Sequence, residues 1–402
     1  MVMHSEIPEF PFQVGPLSSP PSEYSERRGS CPFGQVRLRS GHEAVLLVRF
    51  ADAVAALGDI RLTHDLTAPG SPRLAHGRSF RDDPEVILNM EGEQHRRLRR
   101  IMAPALSPRS AERWRPAIRS VVAELIDRME QKGTEADIVE DFCSPMPVRV
   151  IGKLLGVPDE DTGRFQRWSD AFALAEEISD QEREERLGEF AQYIAELVAA
   201  RRAEPGTGLI DEMIAARDGA DRLSESELTF LVMSLIVGGT HTTSNALARG
   251  LLTLLRDDRV LWRQVVDQPD IIPAAVEELL RFDALGDLLM LREATEDIEL
   301  PSVTVRKGSA VVVSVLSALR DEAEYPDPET VRFDRGDSWP LIFGAGPHFC
   351  PGAHLARAEL QIALGLLAER LPELRPAAHL DTLRFTEGEE LSSLVSLPVA
   401  WK

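Results

Sequence analysis

Residues 341–357 read Leu-Ile-Phe-Gly-Ala-Gly-Pro-His-Phe-Cys-Pro-Gly-Ala-His-Leu-Ala-Arg, so one cysteine, Cys350, stands among three glycines and two prolines. Glycines at 344, 346 and 352 permit tight turns and a close approach of main chain to a flat ligand. The run from about Gly352 to Glu369 is amphipathic and predicts a helix, which sets Cys350 at or near its N-terminus. Unpaired N–H groups and the helix dipole favour a thiolate there over a thiol. A thiolate so held is a ligand for a soft metal. Two plainer readings compete: a small buried apolar residue beside an ordinary turn, or a dinucleotide loop. The order G-A-G-P-H-F-C-P-G is not G-x-G-x-x-G, which weakens the second.

Three other stretches concentrate groups that could do chemistry. Glu278 and Arg281, in EELLR, are spaced i, i+3 on one helix face. Taken alone, that is a surface ion pair contributing about 0.2–0.5 kcal/mol. In EGEQHRRLRRIMAPALSP, His95 is followed by arginines at 96, 97, 99 and 100. Such a run is either a solvated basic face or a patch that steers an acidic partner. GGTHTTS, Gly238 to Ser244, lies in the middle of an apolar helical pattern. Each mid-helix glycine costs about 1 kcal/mol against alanine, so the pair asks for a reason, such as room beside the helix or a loosened backbone whose carbonyls bind water. Thr242 there is either a working hydroxyl or one bonded back to the carbonyl four residues earlier.

The elements that must position these groups are mostly helical. Ser224 and Glu227 form an S-x-x-E capping pattern before a helix of about 30 residues, roughly 45 Å long at 1.5 Å per residue, apolar almost all round and so central. Helical patterns also run from Ser110 to Lys132 and on through Ala200. DIELP, VTVRKG and AVVVSV read as short strands, and Arg61 to Met90 reads as loop. There is no repeat and no linker. The expectation is a single domain over 1–402, mainly α with a small β component, with an irregular segment at 1–24.

Composition narrows the function. The net charge is −21, from 66 acidic and 45 basic residues, which argues against nucleic acid as a partner. Cys31, Cys143 and Cys350 are far apart with no C-x-x-C, so neither a disulfide framework nor a structural zinc is expected. The N-terminus lacks a signal-peptide pattern, and the longest apolar runs fall short of the ~20 residues that span a bilayer. A cytoplasmic chain without a membrane partner is expected.

The run Phe343-Gly344-x-Gly346-x-His348-x-Cys350-x-Gly352, with Leu355-Ala356-Arg357 behind it, resembles the haem-binding loop of the cytochrome P450 family, bacterial soluble type. The resemblance implies a P450 fold around a buried haem b, with Cys350 as metal ligand and His348 bonded to a haem propionate. Glu278 and Arg281 resemble the family's structural E-x-x-R pair, completed by Arg335, with Arg332 as the other possibility. LREATEDIEL nominates Arg292 for a propionate, and the basic stretch nominates His95 and Arg99. In the central helix the resemblance makes Thr242, with Thr243 beside it, the hydroxyl that stabilises bound dioxygen and relays protons. His241 stands where the family usually has an acid, which implies altered proton delivery. Leu285-Gly286-Asp287 and Ala318-Leu319-Arg320-Asp321 also depart from the family's usual residues.

The resemblance implies a haem-thiolate monooxygenase that inserts one atom of O2 into a small organic substrate, with a secondary metabolite as the family-level guess. Electrons would come from a ferredoxin and ferredoxin reductase. The substrate pocket would draw on Val237 and Gly238, residues 61–90, 170–187 and 284–291, and the turn near Leu391 to Val395. The rival readings are a peroxide-using or coupling variant, a non-catalytic relative that binds a partner protein, and a haem-thiolate sensor.

Overall fold

The Ser224 hydroxyl accepts from the Glu227 N–H at 3.0 Å and the Glu227 carboxylate accepts from the Ser224 N–H at 2.8 Å, so the capping box closes in both directions. Behind it the helix Glu225–Leu255 runs 31 residues, about 46 Å at 1.5 Å per residue. It continues unbroken through Gly238 and Gly239, where the glycine pair suggests a loosened backbone. The computed structural model describes residues 7–74, 82–157, 161, 163–165, 167–168, 179–217, 223–284, 290–336, 341–386 and 392–402.

Helices Pro145–Leu155, Asp180–Ala203, Val260–Asp267, Ile272–Phe282 and Ala353–Arg370 all pack against this central helix. Their apolar faces make the main core, with Phe142, Trp168, Phe190 and Trp262 fully enclosed. Ala353–Arg370 also lies along Pro108–Lys132 and Ile272–Phe282, which fixes the element behind Cys350 from three sides.

The β component is small, as expected. A six-stranded sheet runs in the order Glu9–Phe10, Phe33–Leu38, Glu43–Leu47, Ala310–Val313, Leu291–Ala294, Leu62–Thr63. Val311, Val312 and Val313 are buried because apolar packing covers both faces of their strand. The segment expected to be irregular is partly ordered. Glu9–Phe10 pairs in parallel with Arg37–Leu38, Phe10 is buried, and a helix spans Ser22–Ser30. A two-residue strand has no readable alternation, and Phe10 is held through ring contacts with Phe12, which in turn meets Tyr24. Among the described residues, no helix is long and apolar enough to cross a membrane.

Candidate active site

The cysteine loop is two 3-10 turns, Leu341–Phe343 and Gly346–His348, closed by the Cys350 N–H donating to the Phe343 carbonyl at 2.8 Å. Gly344 and Gly346 sit in the left-handed region, at φ 75° and 68°. At Gly346 a side chain is doubly excluded, because a Cβ would fall 2.8 Å from the Leu57 carbonyl oxygen and 2.9 Å from the Gly58 Cα. Helix Ala353–Arg370 starts three residues after the cysteine, as expected. Arg357, four residues into this helix, stacks 4.5 Å over the Phe343 ring and pairs with Glu277 at 2.6 Å.

The helix terminus does not by itself make Cys350 a thiolate. Burial raises the thiol's pKa above its ordinary value. The N–H groups of Gly352 and Ala353 and the guanidinium groups of Arg99 and Arg357 pull the other way without overcoming it. The expectation from the dipole alone is corrected: desolvation outweighs a helix end. A coordinated metal cation is the partner that deprotonates a thiol outright.

Glu278 and Arg281 are no surface pair. Their side chains are 3% and 0% exposed. Arg281 donates Nε and Nη2 to the Glu278 carboxylate at 2.8 and 2.9 Å, and Nη1 to the Leu319 carbonyl at 2.8 Å. Both named third members reach Glu278 Oε1: Arg335 with Nε at 2.8 Å, Arg332 with its backbone N–H at 2.9 Å. Arg335 also donates to the carbonyls of Pro326, Asp327 and Thr330, so it ties the irregular stretch to the helix. The Arg332 side chain turns instead to Asp334.

On the opposite flank of the loop, helix Gly92–Met102 brings His95 onto His348, the rings stacked at 4.1 Å and 24°. Arg99 donates to the Phe349 carbonyl. Burial first, then the neighbouring His348 and Arg99 charges, push the His95 pKa down to about 4, so it is neutral at pH 7. Arg292 is 4% exposed on strand Leu291–Ala294 and donates Nη1 to the Leu291 carbonyl at 2.9 Å. His95, Arg99 and His348 are thus brought together at the cysteine loop, with Arg292 on the adjoining sheet. The pattern-based reading missed His64, whose ring lies 4.3 Å from that of His348, and Glu91, whose carboxylate lies 3.4 Å from His348 Nε2.

In the central helix, Gly238 is exposed between buried Ile236 and buried Thr240, and a Cβ at Gly238 or Gly239 would meet nothing within 4 Å. Open space lies beside the glycines. The Thr242 hydroxyl donates to the Gly238 carbonyl at 2.6 Å, the back-bonded arrangement. Its proton is committed there, while the hydroxyl oxygen keeps acceptor capacity. Thr243 is 5% exposed and packs into the interior, so the two threonines do not share a face. His241 and Val237 are half-buried. One turn on, Asn245 donates Nδ2 to the Ser392 carbonyl and to Ser393 Oγ, both at 3.2 Å, and Arg249 donates to the same Ser392 carbonyl. The central helix therefore pins the turn nominated for the pocket. Of the other segments nominated for the pocket, residues 75–81, 170–178, 285–289 (with Leu285-Gly286-Asp287) and Leu391 lie outside the described residues.

Residues 164–372 match the cytochrome P450 family model. The chain belongs to the cytochrome P450 family. It is 40% identical over 383 residues to a mycinamicin IV hydroxylase/epoxidase of Micromonospora griseorubida, covering 94% of each chain. A nocardicin C N-oxygenase of Nocardia uniformis subsp. tsuyamanensis is 38% identical, again over 94% of both. The solved structure of the mixed-function P450 MycG superposes with a TM-score of 0.88 at 38% identity, covering 98% of this chain and 100% of that one. This P450 is a monooxygenase with the P450 fold. Family membership implies a haem iron cofactor, electron donors, O2 and a small-molecule substrate. The residues fit such a group: a half-buried cysteine flanked by the Arg99 and Arg357 guanidinium groups, open space beside Gly238 and Gly239, and cationic or imidazole side chains gathered at the loop.

Proposed function

We propose that this P450 holds haem b through Cys350, takes electrons singly from a ferredoxin and its reductase, and oxygenates a small secondary metabolite. The balance is R–H + O2 + 2 e⁻ + 2 H⁺ giving R–OH + H2O. Bound haem supplies electron storage and oxygen activation, and thiolate donation to the iron favours O–O cleavage. His95, Arg99, Arg292 and His348 hold the propionates by hydrogen bonding and charge. Val237 and Gly238 border the substrate space. Thr242 offers its oxygen as an acceptor beside that space, and His241 handles protons where the family usually places an acid. Thr243 supports the helix from the core side.

The observation that carries this reading is Gly238: an exposed, unobstructed glycine between buried Ile236 and buried Thr240 in the central helix, with Thr242 bonded to its carbonyl. The electron donor is argued from charge. Arg96 and Arg100 are 66% and 60% exposed on an otherwise acidic chain, and both pair with Glu93. An acidic ferredoxin suits that face. The names of the relatives, a hydroxylase/epoxidase acting on mycinamicin IV and an N-oxygenase acting on nocardicin C, support a natural-product substrate. A cytoplasmic location accords with free cysteines at 31, 143 and 350.

The test supplies ferredoxin, ferredoxin reductase, NADPH and ¹⁸O2 with a panel of macrolide, terpenoid and β-lactam metabolites. Incorporation of one labelled oxygen per product is expected. Label absent from product, or activity with peroxide and none with ferredoxin, overturns the reading in favour of the peroxide-using variant.

A further inference from the structure

Strand Leu62–Thr63 pairs antiparallel with Leu291–Ala294, Leu62 opposite Ala294 and Thr63 opposite Glu293. One residue further along each strand come His64 and Arg292, 2% and 4% exposed. His64 therefore leaves the sheet next to a residue assigned to a propionate. Its ring centroid lies 4.3 Å from that of His348, with the planes at 50°. His348 is thus in ring contact with two other imidazoles, those of His64 and His95.

Glu91 completes the arrangement. Its Oε1 accepts from the His64 N–H at 2.7 Å and from the Thr63 hydroxyl at 3.4 Å. Its Oε2 lies 3.4 Å from His348 Nε2. The end of the strand clamps one carboxylate oxygen, and the other faces one nitrogen of His348. An imidazole has two ring nitrogens, and the partner of one decides what the other presents to a ligand. At 3.4 Å the Glu91 carboxylate acts on the His348 ring by proximity and charge, since Nε2 forms no hydrogen bond among the described residues.

We propose that His64 and Glu91 are positioning residues that hold His348 in the orientation that grips haem, His64 by ring contact and Glu91 by the carboxylate it sets beside Nε2. The inference rests on the proposed binding of haem at the Cys350 loop. Outer partners of this kind are worth about 10- to 100-fold in affinity at ligand sites.

The test is haem transfer from the holoenzyme to excess apomyoglobin, followed optically, with the reduced CO spectrum confirming unchanged ligation in each variant. His348→Ala and His64→Ala should each speed haem loss, His64→Ala by about 10-fold. The combined His64→Ala/His348→Ala variant should lose haem no faster than His348→Ala alone. His64→Phe, which keeps a ring against His348, should restore most of the retention. Glu91→Leu combined with His348→Ala gives the same comparison if His64→Ala does not accumulate as folded protein. Fold-changes that multiply in the double variants, or parental haem loss in both His64→Ala and Glu91→Leu, overturn the inference while haem binding stands. A parent chain that takes up no haem overturns the proposed function, and this inference with it.

Discussion

Replacing Glu278 by glutamine removes one negative charge from a place where two guanidinium groups and a backbone N–H converge on it. The two arginines are unequally protected. Arg335 keeps three carbonyl acceptors, at 2.5, 2.8 and 2.6 Å. Arg281 keeps the Leu319 carbonyl and at most the single neutral oxygen of the new amide, and its side chain is 0% exposed. Breaking a buried pair by removing one partner costs about 3–5 kcal/mol because the other charge is stranded. Unfolding entropy of about 2.1 cal/mol/K per residue gives roughly 0.84 kcal/mol/K for a chain this long. About 4 kcal/mol then lowers the midpoint by about 5 °C. The assay follows far-UV circular dichroism and Soret absorbance of the holoenzyme on heating, since Arg335 ties the stretch before the cysteine loop to this pair. Arg335→Ala should cost less than Glu278→Gln, because it leaves the Glu278–Arg281 fork intact. A Glu278→Gln midpoint within about 1 °C of the parent, or an Arg335→Ala loss exceeding it, refutes the reasoning.

Thr242→Val should cut product formation by about 10²-fold while costing about 1 kcal/mol or less in stability, since it removes one hydroxyl and keeps the shape. If His241 carries protons, His241→Ala should lower product per electron consumed and leave the CO spectrum unchanged; an unchanged yield in both His241→Ala and His241→Asp removes it from proton delivery. Glu359, on the helix behind the cysteine, is 4% exposed, and its Oε2 has no hydrogen-bond partner among the described residues. Burial pushes its carboxyl well above the ordinary 4.5. The folded state keeps a proton that the unfolded chain releases, so its contribution is fully present below pH 4.5 and is lost as pH rises toward the folded value, at about 1.4 kcal/mol per unit. Glu359→Gln should therefore be more stable than the parent at neutral pH and flatten that slope; equal midpoints from pH 5 to pH 8 would count against it. Arg96→Glu/Arg100→Glu should raise the KM for an acidic ferredoxin about 10-fold at low salt, with the difference shrinking as salt is added.

Local pattern made much of this molecule legible. The capping box at Ser224 and Glu227, the helix after Cys350 and the glycine turns before it depend on neighbours in sequence, and each takes the expected form. The Glu278, Arg281 and Arg335 cluster was legible only through resemblance, because nothing in an i, i+3 spacing says whether the pair is buried. What escaped depends on distant chain segments. His64 and Glu91 meet His348 across gaps of more than 250 residues, and His64 sits in a loop with no period to betray it. Burial of the Cys350 sulfur, which outweighs the helix end, is likewise a property of the packed molecule. Thr242 and Thr243 are adjacent in sequence but about 100° apart on a helix, so one lies by the Gly238 carbonyl and the other in the core.

The central claim is that Cys350 presents its sulfur as a thiolate to a haem iron. Reduction of the purified holoenzyme under carbon monoxide, with the difference spectrum recorded beside that of Cys350→Ser, tests it most directly. The parent should show the long-wavelength Soret band of carbon monoxide opposite a thiolate, and the variant should lose it. A parent band at the shorter wavelength of a thiol or imidazole ligand, or one that survives in Cys350→Ser, would contradict the account.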